Sequence, residues 1–166
     1  MQTYTDAYFL LVGDGSETER LRLLIKNKKL QNIAIYDAVG QKDYLSMLSE
    51  FDIGLLSLDR KFRTANFPGK LLGYIYYAMP VLASINLGND LQTLLEKGNA
   101  GLVSLNGNDE ALFNNALKLL HDEALRKEYG KNARVLLDST FSVKGAARQV
   151  MSHFGKGHQP EATMQR

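Results

Sequence analysis

An α/β fold of the Rossmann-like, doubly wound class, with one parallel sheet in one domain, is the architecture this sequence predicts. Three observations carry it. Short apolar runs, each four to eight residues long, recur along the chain and end in Gly, Asp or Asn. Segments with helical periodicity separate them, and they are too long for hairpin turns, so the strands must pair in parallel through crossovers. The 166 residues and 45% hydrophobic content suffice for a single core of that size.

The elements follow in order. Ala7 to Val12 is a buried strand entering the turn Gly13-Asp14-Gly15. Ser16 and Glu19 have capping-box spacing before a helix carrying Leu21, Leu24 and Ile25. Ile33 to Tyr36 is a second strand, Asp43 to Ser49 a helix, and Ile53 to Leu58 a third strand. An irregular basic stretch, Asp59 to Phe67, leads to Pro68, whose fixed φ suits a first helical position. That helix is expected to reach Ala78, with Met79-Pro80 breaking it before a fourth strand, Val81 to Ser84. Leu91 to Lys97 reads as helix, Gly101 to Leu105 as strand, and Asp109 to His121 and Glu123 to Leu137 as amphipathic helices. A last helix from Ser142 to Phe154 closes the domain, expected to span 1–154. Residues 155–166, rich in Gly, Pro and charge, are expected to form a disordered tail.

Composition narrows the chemistry. With no cysteine, disulfides, thiolate metal sites and cysteine nucleophiles are excluded. The formal charge of +2 comes from cations interspersed with acids, without the one-signed basic stripe of a nucleic-acid binder, so no nucleic-acid partner is expected. The polar start shows no secretory signal and no run is long enough to cross a bilayer, which points to a cytoplasmic protein. His121, His153 and His158 fall on late helices or the tail, and no metal-ligand spacing is present.

Ligands of open parallel sheets gather at the carboxyl ends of the strands. Four segments fall there: Gly13-Asp14-Gly15, Asp37 to Gln41, Asp59 to Lys70, and Ile85 to Asp90. Gly13-x-Gly15 alone is better read as a tight turn than as a dinucleotide fingerprint. The stretch Asn66-Phe67-Pro68-Gly69-Lys70-Leu71-Leu72 carries more. It combines first-turn N–H groups, a glycine permitting close approach, and a lysine charge, with Arg60, Lys61 and Arg63 just upstream. It describes an anion site; an ordinary Pro-started helix with a solvated lysine fits the same residues.

The order V-G-D-G (Val12 to Gly15), A-V-G (Ala38 to Gly40), F-D-I-G-L-L-S-L (Phe51 to Leu58), F-P-G-K-L-L-G-Y-I-Y-Y-A-M-P-V-L-A (Phe67 to Ala83) and N-A-G-L-V (Asn99 to Val103) resembles the C-terminal domain of retaining GT-B glycosyltransferases of the GT4 type. The resemblance runs on through Asp122 to Arg134, and is strongest to the branch that builds bacterial O-antigen and capsule with N-acetylfucosamine or related amino sugars. It implies a donor domain that binds a UDP-sugar as substrate, with no cofactor and no metal. The diphosphate is then expected at Asn66, Pro68, Gly69, Lys70, Leu71 and Arg63, and base and ribose at Ala38, Val39, Gly40 and Gly73, with Gly13 and Gly15 lining the same strand edge. Catalytic residues are expected outside this chain. The expected partners are the N-terminal acceptor-binding domain and a lipid-linked or oligosaccharide acceptor, which implies peripheral association at the inner face of the plasma membrane.

Two departures stand out. Family members commonly carry E-x7-E, whose second glutamate holds the ribose; here those positions are Ala65 and Gly73. The family's domain also begins with a further strand and a loop bearing an arginine and a lysine, so the chain reads as N-terminally truncated. The alternatives are a non-catalytic nucleotide-binding scaffold and a receiver-like signalling domain, with Asp14 and Asp59 after the first and third strands.

Overall fold

The computed structural model describes residues 4–61, 67–142, 145, 147 and 150–152. Five strands alternate with six helices among them: β1 (Phe9–Val12), α1 (Thr18–Asn27), β2 (Ile33–Tyr36), α2 (Gln41–Leu48), β3 (Gly54–Ser57), α3 (Lys70–Tyr76), β4 (Val81–Ile85), α4 (Asp90–Lys97), β5 (Gly101–Leu105), α5 (Asp109–His121) and α6 (Glu123–Thr140). All pairings are parallel, as the crossover lengths require. The ladder forms two blocks, β1-β2 and β3-β4-β5, so β1, β2, β3 and β5 each keep one edge unpaired among the described residues.

The second block is doubly wound in the strict sense. β4 is buried at every position, and its side chains alternate between two cores. Val81, Ala83 and Ile85 point into one core with Leu71 and Ile75 of α3, Leu91 and Leu95 of α4 and Ala133 of α6. Leu82 points the other way, to Ala116 and Leu119 of α5. The first block is thinner. Every residue of β1 is half-buried and α1 buries none of its residues. Tyr4 ties it to the rest, its ring lying 6.1 Å from Phe113 and 6.0 Å from His121, both on α5.

Several local expectations shift. The capping box at Ser16 and Glu19 does not form: α1 starts at Thr18, with Glu17 at the cap position and no side-chain cap bond. Glu17 instead pairs with Arg20, and the Thr18 N–H donates to the Gly15 carbonyl, 3.1 Å. α2 begins at Gln41, two residues before Asp43, and α6 continues to Thr140 past Leu137. Caps do form where an Asn or Asp precedes a helix, at Asn89, Asn108 and Asp122. The helix expected over Ser142 to Phe154 and the tail lie largely or wholly outside the described residues.

Close backbone approach explains Gly130 in the middle of α6. A Cβ there would stand 2.0 Å from the carbonyl oxygen of Ala78, which itself sits at φ 52° where α3 turns toward Pro80. The crossing of α3 and α6 therefore depends on the missing side chain. Gly130→Ala is expected to lose about 3 kcal/mol of stability in urea denaturation, the upper range for overpacking. A loss below about 0.5 kcal/mol, the range of an uninvolved surface change, would contradict this crossing.

Candidate functional site

The expected segments emerge at carboxyl strand ends. Gly13 follows β1 at φ 137°, a conformation that favours glycine, and donates to the Tyr36 carbonyl at the end of β2, 3.0 Å. Gly15 is exposed. Ala38, Val39 and Gly40 follow β2 as an exposed extended segment, and Gly40 caps α2 while its carbonyl accepts from Tyr44, 2.9 Å. The approach to it is held by Arg22 of α1, whose Nη2 donates to the Asp37 carboxylate at 2.6 Å.

Pro68, Gly69, Lys70 and Leu71 form the start of α3, two residues later than the proline suggested. The offset is small, because Gly69 already has helical dihedrals (φ −55°, ψ −32°) and the Pro68 carbonyl accepts from the Leu71 N–H at 2.9 Å. That bond uses the Leu71 amide, and the Leu71 side chain is fully buried in the core. Its part in the segment is to anchor the turn. The N–H groups of Gly69 and Lys70 precede the first intrahelical bond, where a helix leaves donors over. Asn66 and Arg63 lie outside the described residues.

Two glycines of this helix have different reasons. At Gly73 a Cβ would come within 2.9 Å of Leu48 Cδ1, and Leu48 is buried, so this glycine lets α2 and α3 approach. At Gly69 nothing lies within 4 Å of an added Cβ and φ is ordinary. Among the described residues no contact demands a glycine there. The space beside Gly69 is open to an incoming group.

Lys70 is solvent-exposed along its side chain, yet desolvation of its ammonium by the surrounding protein lowers its pKa below the ordinary lysine value. An anion beside it would restore the charged form. Nearby, Tyr74 donates its hydroxyl to the Leu55 carbonyl (3.2 Å); burial, with a lesser effect of Tyr44, pushes it up to about 12, so it stays neutral. An open, mostly apolar groove of about 470 Å³ runs between α4 and α6, bounded by Phe67, Asp90, Leu94, Lys97 and Leu136. Among the described residues no three His, Asp or Glu side chains converge as metal ligands, and no helix is long and apolar enough to cross a membrane.

Sequence reasoning missed a polar tie at the same edge, built by Ser84, Asn86 and Asn106. Serine and asparagine beside strand ends read equally well as turn formers, so no spacing in the sequence marks it.

Comparison with known proteins finds relatives of the chain and of its fold. N-acetyl-alpha-D-glucosaminyl L-malate synthase of Bacillus anthracis is 27% identical over 133 residues, 80% of this chain and 33% of that protein. Sucrose-phosphate synthase from Thermosynechococcus elongatus shares the fold with a TM-score of 0.70 at 21% identity, over 89% of this chain and 37% of that one. WaaG, a glycosyltransferase involved in lipopolysaccharide biosynthesis, does so with a TM-score of 0.62 at 18% identity, over 91% and 38%. The chain thus spans about a third of the length of these relatives. The model of the family described as glycosyl transferases group 1 matches residues 1–136, and the chain belongs to that family.

Proposed function

We propose that this chain is the donor-binding domain of a retaining GT-B glycosyltransferase that moves an amino sugar from a UDP-sugar to a glycan or lipid-linked acceptor. The observation that carries the reading is the first turn of α3, where among the described residues nothing occupies the space beside Gly69, and the neighbouring Lys70 ammonium has its pKa lowered by desolvation. As the sugar leaves, negative charge gathers on the diphosphate, and donors already in place stabilise it without reorganisation. In this reading Ala38, Val39 and Gly40 take the base, and Gly13 and Gly15 border the same edge. No metal is required, because backbone N–H groups and lysine neutralise the leaving group. Gly73 packs on Leu48, so the ribose is held by neighbouring backbone rather than by a carboxylate at that position.

The relatives support the finer parts. One name carries an N-acetyl amino sugar and one description lipopolysaccharide biosynthesis. Surface-polysaccharide or O-antigen assembly at the inner membrane face follows as the setting. An N-terminal acceptor domain, with a further strand of this domain, completes the enzyme in this reading; the division of the ladder into two blocks and the one-third span of the relatives support it. Family membership sets the receiver alternative aside.

Two variants are tested by calorimetric titration with uridine diphosphate alongside urea denaturation. Gly69→Ala keeps or slightly raises stability, by up to about 1 kcal/mol, yet weakens binding about tenfold by blocking close approach. Unchanged binding would show that the glycine serves no ligand. Lys70→Met weakens binding while leaving urea stability nearly unchanged.

The pH dependence has a definite sign. The folded pKa of Lys70 lies below its unfolded value, so across the alkaline window between them the folded state holds fewer protons and unliganded stability rises with pH. Affinity for the diphosphate falls across the same window as the ammonium is lost. Lys70→Met should flatten that fall; an equally steep profile in the variant would assign the titration elsewhere.

A further inference from the structure

The ladder of the second block ends with the Leu58 N–H on the Ser84 carbonyl (3.0 Å) and the Asn106 N–H on the Ile85 carbonyl (2.8 Å). Beyond these rungs the strands diverge into loops, and one side chain continues the connection. The Nδ2 of Asn106 donates to the Leu58 carbonyl at 2.8 Å and to Asn86 Oδ1 at 2.7 Å, while its Oδ1 accepts from the buried Ser84 hydroxyl at 2.8 Å. Asn86 passes the tie on, its Nδ2 donating to the Asp59 carbonyl at 2.9 Å. Both hydrogens of one amide thus join the chain leaving β3 to the loop leaving β4, from a position at the end of β5.

The first of these loops runs on in sequence to α3 and the second into α4, and both leave the carboxyl ends of adjacent strands in the block that carries the proposed diphosphate site. After Asp59, the Lys61 N–H donates back to the Asp59 carboxylate at 2.7 Å, and the Arg60 guanidinium lies against Gly107. A Cβ at Gly107 would meet Arg60 Nη2 at 2.4 Å, and φ there is 93°. On the other side the loop closes through the Asn89 N–H on the Asn86 carbonyl, 3.3 Å, and the Asn89 side chain then caps α4, accepting from Leu91 at 2.9 Å. The cationic turn at Arg60 and Lys61 and the Asn86–Asn89 loop are held in one relative arrangement by Asn106.

We propose that Asn106 is a positioning residue of the donor site, locking the Asp59–Lys61 and Asn86–Asn89 loops together so that the phosphate-facing edge is preorganised. The inference rests on the donor-site reading above. It is specific to the phosphate end, since the tie touches neither Ala38–Gly40 nor α2.

The test compares uridine diphosphate with uridine, titrated into the unaltered chain and into two variants. Asn106→Asp keeps the shape but removes both N–H donors and sets a carboxylate against the Leu58 carbonyl and Asn86 Oδ1. Ser84→Ala removes only the hydroxyl that orients the Asn106 amide, and serves in its place if Asn106→Asp does not fold. The expected result is a loss of about tenfold in diphosphate affinity for Asn106→Asp, a smaller loss in the same direction for Ser84→Ala, and unchanged uridine affinity in both. Equal weakening of both ligands would make Asn106 merely structural, and no change in either would also overturn the proposal. If the unaltered chain does not bind the diphosphate at all, the donor-site reading fails and this inference falls with it.

Discussion

Burial of β4 on both faces is the constraint on which the rest of the molecule depends. Its four apolar residues divide between the core under α3, α4 and α6 and the core under α5, so helices must wind on both sides of the strand. Apolar burial at about 25 cal/mol per Å² drives this arrangement. Polar groups are then pushed to the strand ends, where backbone ladders finish and side chains must take over. Ser84 and Ser104, both buried, meet that requirement by bonding to Asn106 Oδ1 and the Ala83 carbonyl, and among the described residues no buried side-chain polar atom lacks a partner.

The functional edge follows from the same constraint. Parallel strands send all their carboxyl ends one way within each block, and the helices that leave them begin with unspent N–H groups. The helices differ in how they open. α4, α5 and α6 begin with an Asn or Asp side chain that accepts a backbone N–H, whereas α1, α2 and α3 show no side-chain cap among the described residues. Of these three, α3 is the one whose first residue is a lysine, Lys70, directly after an exposed glycine.

Much of this was legible in the sequence, for reasons that differ by element. β4 and β5 stand out because V-L-A-S and G-L-V-S-L are short, mostly apolar runs between turn residues, and burial of β4 on both faces leaves it little alternation. The α3 start was visible through Pro68, though regular helix begins at Lys70 because Pro68 and Gly69 form the initiating turn. Ser16 and Glu19 misled, since the capping spacing was present while Glu17 and Arg20 made a competing local pair. Gly73 drew notice as the position of a missing glutamate, and packing alone could identify Leu48 as its neighbour. The Asn106 tie was invisible because its partners lie 20 to 48 residues away in sequence. The division of the ladder into β1-β2 and β3-β4-β5 was equally hidden, because strand order is a tertiary property.

The most direct test of the account is a titration of the isotopically labelled chain with uridine diphosphate in the presence of a chelator, followed by amide chemical shifts. The account predicts metal-free shifts concentrated at Val39–Gly40 and Gly69–Leu71. Shifts that require magnesium, or that cluster instead in the groove of Leu94 and Leu136, or no shifts at millimolar nucleotide, would contradict it.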